Sequence, residues 1–196
     1  MSDLTHTPSS FATSGAHNTA LRFGSVAKAF HWLTALLILT MIPSGLIAQY
    51  WPYDTSAQLA TKATLFSLHK TLGIVTFAVA LARILWAVTQ PRPALLPTGS
   101  KLHHLAAEAV HWSLYAALVL VPLSGWVHHA ATTGFAPIWW PFGQTLPFVP
   151  QSELVASVTS GLHLIFVIML VTSLALHVGG ALKHHLVDRD ATLKRM

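Results

Sequence analysis

Cysteine is missing from all 196 residues. That excludes disulfides, iron–sulfur clusters held by thiolates, and the C-x-x-C-H attachment of c-type haem. Charge is nearly as scarce. Only six residues are Asp or Glu, and the four charged types together make 9% of the chain, against about 25% in soluble domains. With 53% hydrophobic residues and a mean hydropathy of +0.57, the composition is that of an integral membrane protein. Residues 1–21, rich in Ser, Thr, Ala and Gly, lack the apolar core of a signal peptide. They read as a flexible N-terminal tail in which His6 and His17 are incidental. The net charge of +5 has a topological explanation, so no nucleic-acid partner is implied. What the chain has in excess is histidine, with thirteen.

Four apolar segments are long enough to cross a hydrocarbon core of roughly 30 Å. They span about residues 26–50, 63–88, 105–130 and 154–182. The first carries Pro43, Ser44 and Gly45, which predict a kink, and ends in the interfacial aromatics Tyr50, Trp51 and Tyr53. A polar link, Asp54 to Lys62, leads to the second, and a proline-rich turn, Pro91 to Lys101, to the third. Pro122 and Gly125 interrupt the third. The loop after it, GFAPIWWPFGQTLPFVPQSE, has Glu153 as its one charge and reads as a re-entrant or interface-lying segment. The expected fold is an all-α, integral membrane four-helix bundle, residues 22–196 forming one transmembrane domain.

Lys and Arg set its orientation. Arg22, Lys28, Arg83, Arg92, Lys101, Lys183, Arg189, Lys194 and Arg195 fall on the side that holds both termini, and only Lys62 and Lys70 on the other. By the positive-inside rule both termini are cytoplasmic. The terminal side is called inner below, the opposite side outer.

The histidines can be tested against that topology. His163 and His177 are fourteen positions apart in the fourth segment, so they return to within roughly 40° of one helix face, about 21 Å apart along the axis. His31, early in the first segment, shares the inner level with His177. His69, early in the second, shares the outer level with His163. Each pair could clamp a planar macrocycle through axial imidazoles. His111 and His129, eighteen apart, also share a face, but about 27 Å separates them and puts them near the interfaces. His103, His104, His128 and His129 read as interfacial residues. A buried structural histidine is the ordinary reading for any one of the four paired residues, and ligation gains its weight from two matched depths, where unpaired polar groups are costly.

His31-Trp32, the stretch HKTLG from His69 to Gly73, Arg83, PLSGW from Pro122 to Trp126, His163, and His177 followed by His184 and His185 together resemble the bacterial cytochrome b561 family. The similarity covers about residues 22–196. It implies a diheme membrane cytochrome of the bacterial inner membrane, with His31 and His177 on the cytoplasmic-side haem b and His69 and His163 on the periplasmic-side one. One position departs from many relatives, Leu164 standing where they carry an acid. Six-coordinate iron leaves no open oxygen site, so the expected work is outer-sphere electron transfer. The resemblance further implies a respiratory or antioxidant oxidoreductase that takes electrons from a small one-electron donor, superoxide among the candidates, and passes them to ubiquinone.

Other positions carry two readings each. Lys70 could contact haem propionates or steer an anionic donor. Arg83 could meet a propionate or snorkel to the interface. His111 could bond a propionate or a neighbouring helix, and His184 with His185 could serve a quinone or simply anchor the helix end. Gly179 and Gly180 offer a small-residue surface to a porphyrin edge or a neighbouring helix, a homodimer among the options. Two other classes of function compete: a b-type cytochrome anchor subunit of a larger respiratory dehydrogenase or hydrogenase, and a haem-free transporter or structural protein. Short loops and the His177-x6-His184-His185 pattern favour the free-standing cytochrome.

Overall fold

A computed structural model describes residues 15–93, 101–132 and 134–188. Four long helices follow one another: α1 (Ser25–Tyr50), α2 (Ser56–Val88), α3 (Lys101–Ala131) and α4 (Glu153–Lys183), the last running into a single π-helical turn, His184–Asp188. No strand occurs among the described residues. All four helices are long and apolar enough to cross a membrane, and large side chains such as Leu36, Leu39, Leu85, Ile165 and Ile168 point outward, as a lipid solvent requires.

Consecutive helices pack on one another, α1 on α2, α2 on α3 and α3 on α4, an up-down-up-down bundle. The core lies at mid-height. Ile38, Ala80, Ala117, Leu118 and Leu170 bring all four helices together. Leu170 stands seven residues from both His163 and His177, and Ile38 seven residues beyond His31. An apolar plug, about 10 Å from each level at 1.5 Å per residue, thus separates two histidine-bearing ends. Buried hydroxyls in the bundle are satisfied within it: Thr34 donates to the Phe30 carbonyl and Thr76 to that of Leu72, while Ser113 and Ser173 pair at 2.8 Å. A hydroxyl left unpaired in lipid would cost far more.

The second helix starts seven residues before the apolar run that announces it. Thr55 accepts from Gln58 N at 3.2 Å while the Gln58 side chain accepts from Thr55 N at 3.0 Å. This capping box nucleates a polar first turn that hydropathy reads as a link. Lys62 on that turn bends back and donates to the Gln49 and Trp51 carbonyls at 2.9 and 2.8 Å, closing the end of α1. Its ammonium therefore faces protein carbonyls.

The inner end also differs from the reading of a free tail. Residues 1–14, with His6, lie outside the described residues. Beyond them, His17 stacks on Trp86 at 5.3 Å and bonds Gln90 at 3.1 Å. Asn18 donates to the Gln90 side chain and to the Pro91 carbonyl, both at 3.2 Å, and accepts from Gly24 N at 2.9 Å. A Cβ at Gly24 would collide with the backbone of Ala16 and His17, so glycine permits this close turn. The segment is a clasp joining the start of α1 to the end of α2.

Candidate functional site

At the outer end, two helices present the same short device. Ser44 and Gly45 of α1 face His69 of α2, and Ser124 and Gly125 of α3 face His163 of α4. Ser44 Oγ donates to the Met41 carbonyl at 2.9 Å and lies 3.1 Å from His69 Nδ1. Ser124 Oγ donates to the Val121 carbonyl at 2.8 Å and lies 3.2 Å from His163 Nδ1, which also reaches that carbonyl at 3.0 Å. A carbonyl only accepts, and each hydroxyl has already spent its proton. His163 Nδ1, facing a carbonyl, therefore carries hydrogen, and His69 Nδ1 does so while Ser44 gives its proton to Met41, an arrangement that leaves both Nε2 lone pairs free to bind a metal.

The glycines explain why the rings can lie there. A Cβ on Gly45 would sit 2.8 Å from His69 Cε1, and one on Gly125 would sit 3.1 Å from His163 Cε1. In each case the residue after a backbone-directed serine has no side chain, and the imidazole rests on bare helix. The sequence reading took Pro43, Ser44 and Gly45 as a kink and missed this purpose. The signal was present as a repeat, P-S-G in α1 and P-L-S-G in α3.

The inner end is built otherwise. The rings of His31 and His177 stand 6.3 Å apart at 57°, although α1 and α4 are not consecutive helices. His111 of α3 joins them, its ring 5.1 Å from His177 at 70°, and it hydrogen-bonds the Ala107 carbonyl one turn back. His111 thus belongs to the inner cluster itself, a placement that spacing within α3 alone did not reveal. Arg83 Nη2 lies 3.3 Å from His31 Nδ1, and its guanidinium sits 5.5 Å from the centre of the Tyr115 ring. Since arginine only donates, His31 Nδ1 accepts, and the ring proton is on Nε2.

Three further histidines have other partners. His129 Nδ1 meets Lys70 Nζ at 3.2 Å and its Nε2 meets Gln144 Oε1 at 2.9 Å, so it has no lone pair to share with His111. His128 Nδ1 donates to the Ala156 carbonyl at 2.8 Å, tying α3 to α4. His184 opens the π-helical turn, its backbone N–H capping the Gly180 and Ala181 carbonyls. Lys70 is placed otherwise than expected. Its ammonium points into the protein, donating to Phe135 O at 2.7 Å and Ala136 O at 2.9 Å as well as to His129.

Among the described residues no group of three or more His, Cys, Asp or Glu side chains could hold a bare metal ion. Imidazoles paired from different helices instead suit a cofactor that brings further ligands of its own. A lipid-facing bundle with such imidazoles at two depths is the architecture of a membrane cytochrome. The chain belongs to the prokaryotic cytochrome b561 family, whose model matches residues 22–196. It is 34% identical over 183 residues to cytochrome b561 homolog 2 of Escherichia coli K12, covering 91% of this chain and 93% of that one. It is 26% identical over 176 residues to a Yersinia pestis protein named probable superoxide oxidase CybB (89% and 95% covered). Cytochrome b561 homolog 1 of Escherichia coli K12 is 24% identical over 177 residues (89% and 96%). The protein is accordingly a multi-pass, b-type electron-transfer cytochrome of the bacterial inner membrane, and the haem-free reading falls.

The residues present fit haem b. The His31 and His177 rings, 6.3 Å apart, leave room between them for a haem iron that a nitrogen of each could hold. At the outer level the Nε2 atoms supply the same kind of donor, and Gly45 and Gly125 leave room for their rings. Two indole N–H groups, Trp86 Nε1 and Trp126 Nε1, are buried without a partner among the described residues. Trp86 lies one turn past Arg83 and Trp126 directly follows Gly125, so each level has a donor that a propionate could satisfy.

Proposed function

We propose that the protein holds two haem b groups, one between His31 and His177 and one between His69 and His163, and carries electrons between a small outer donor and ubiquinone. The observation behind this reading is the repetition in α4, where two imidazoles fourteen residues apart each work with histidines from other helices. Bound there, bis-imidazole haem would supply reversible one-electron transfer with no coordination position open to substrate.

The chain's own work is to orient and insulate. Ser44 at His69, and Ser124 with the Val121 carbonyl at His163, hold the Nδ1 atoms, as partners of ligating histidines commonly do. The plug around Leu170 keeps water out between the levels. Arg83 and Trp86 at the inner level, and Trp126 at the outer, offer donors to carboxylates. The excess of Lys and Arg at the end holding both termini supports a cytoplasmic placement of that end, with the outer level facing the periplasm.

Superoxide is the donor that the Yersinia pestis relative's name suggests. Two superoxide anions would each give one electron and leave as dioxygen, while one ubiquinone takes two electrons and two protons to become ubiquinol. The test is a reduced-minus-oxidised spectrum of the purified protein with haem counted per chain, followed by quinone reduction on addition of superoxide. Two low-spin haems per chain and superoxide-dependent ubiquinol formation are expected. One haem per chain would overturn the paired-level assignment, and two haems without ubiquinol formation would overturn the donor or acceptor.

A further inference from the structure

The segment from Gly134 to Gln144 packs firmly onto the bundle. Phe135 packs edge-on against Phe66 of α2 at 6.2 Å, and Trp140 against Trp126 of α3 at 5.2 Å. Beneath these rings lies a small polar core. His129, 2% exposed, is among the largest fully buried side chains. Lysine only donates, so His129 Nδ1 accepts from Lys70, and its Nε2–H donates to Gln144 Oε1. Gln144 then closes on one residue in both directions, accepting from Ile138 N at 2.8 Å and donating to Ile138 O at 3.1 Å. The residue after Lys70 joins in, since Thr71 Oγ1 accepts from Trp139 N at 3.0 Å.

The ammonium has three N–H bonds, and the structure gives it three acceptors: Phe135 O, Ala136 O and His129 Nδ1. Ala136 has φ 57°, a left-handed conformation that a residue with a Cβ keeps only where its surroundings fix it. Its carbonyl is one of those Lys70 takes. All of this is anchored on the two residues that follow His69 in α2.

We propose that Lys70 is a positioning residue, which with His129 and Gln144 fastens residues 134–144 over the outer histidine level and limits how closely a hydrophilic redox partner approaches it. The access part rests on the reading of His69 and His163 as outer haem ligands; the fastening does not. Lys70 in this role acts through the loop, and its charge is not offered to an incoming anion.

The experiment compares wild type, Lys70→Met and Gln144→Ala as full-length protein in detergent. Hydrogen–deuterium exchange is followed at residues 134–144, and ferricyanide oxidation of the reduced haems is timed by stopped flow. Both variants are expected to raise exchange in that segment by about tenfold or more, as local opening becomes easier, with α1 and α4 unchanged. Oxidation of the outer haem is expected to quicken several-fold in both variants. An electrostatic steering role predicts the opposite sign, slower reaction with the anion ferricyanide in Lys70→Met and no change in Gln144→Ala; that pattern overturns the proposal. So does wild-type exchange in both variants. Exchange reads the fastening in protein with or without haem at that level, so a failed ligand assignment and a failed clamp are told apart.

Discussion

The outer and inner histidine levels solve one problem with different degrees of commitment. Outside, His69 and His163 are each held by a serine through Nδ1 and seated on a glycine, with Nε2 left over. Inside, three imidazoles and an arginine share the space, and His31 accepts from Arg83 through the nitrogen that its outer counterparts use to donate. For His31 to ligate through Nε2, its proton must move to Nδ1 and Arg83 must let go. On the proposed assignment the outer level is preorganised and covered, and the inner level would have to rearrange. Preorganisation lowers the cost of binding, so the outer site should take haem more tightly than the inner.

The largest effects should come from the proposed ligands. His163→Ala and His69→Ala are each expected to cut haem from two per chain to one, leaving an intact inner spectrum. His177→Ala should do the reverse. His31→Ala is the sharper inner variant, because His111 stands 5.1 Å from His177 and could replace it. Pyridine haemochrome and low-temperature spectra decide the matter. Two low-spin haems surviving in His31→Ala, with one lost in His111→Ala, would move the inner ligand from α1 to α3.

Next come the cradles. Gly45→Ala places a methyl 2.8 Å from His69 and Gly125→Ala places one 3.1 Å from His163, whereas Gly73→Ala meets only Met41 at an ordinary 3.5 Å. Gly45→Ala should displace its ring and weaken outer haem binding most, Gly125→Ala less, and Gly73→Ala little. Ser44→Ala removes the Nδ1 partner of His69 instead, a change that typically costs about 10- to 100-fold in metal affinity, whereas Ser124→Ala leaves the Val121 carbonyl to His163 and should cost less. Haem titration of apoprotein would measure all five. Equal losses from both levels would mean that the outer level is not set apart by its serines and glycines.

Much of this was readable beforehand, and the misses share a cause. Periodicity in α4 and the order of the segments were enough to bring His31 to His177, because helix rise and antiparallel packing convert sequence position directly into depth. Hydropathy found four spans for the same reason. It passed over the start of α2, where Thr55 and Gln58 build a helix from polar residues. It also passed over the outer loop, whose fold depends on Lys70, His129 and Gln144, residues far apart in the chain that meet only once the helices pack. Lys62 and Lys70 look like surface charge in one dimension, and each turns inward onto carbonyls in three. Ser44 was read as a kink residue and Ser124 was given no role of its own, because a hydroxyl's partner on another helix leaves no local trace.

A smaller effect should separate the cations of the two levels. Arg83 lies against the side chain of an inner ligand candidate, so its charge bears on that level more than on the other. Oxidised haem carries one more positive charge than reduced haem, and a nearby cation favours the reduced form. Arg83→Met should therefore lower the inner potential while the outer one stays put, as a redox titration at two wavelengths would show. Haem content should hold, because removing Arg83 also frees His31 Nδ1 to carry its proton. Loss of the inner haem in this variant would instead make Arg83 an anchor that the cofactor needs.

The smallest expected effect tests how the inner level is kept together at all. Nothing like the outer loop covers it among the described residues, but the clasp of residues 15–24 ties α1 to α2 beside it. Asn18 is the knot, with three hydrogen bonds to Gln90, Pro91 and Gly24. Two of these use its side chain, and each is worth about 1 kcal/mol net, so Asn18→Ala should cost on the order of 1–2 kcal/mol locally. The start of α1 lies six residues before His31, and the Trp86 that His17 covers lies three beyond Arg83. Loosening the knot should therefore speed loss of the inner haem to an apo-acceptor by several-fold, consistent with that energy, and leave the outer haem's loss rate alone. If both haems leave faster, the bundle transmits the loosening through its plug, and the two levels are less independent than their separate construction implies.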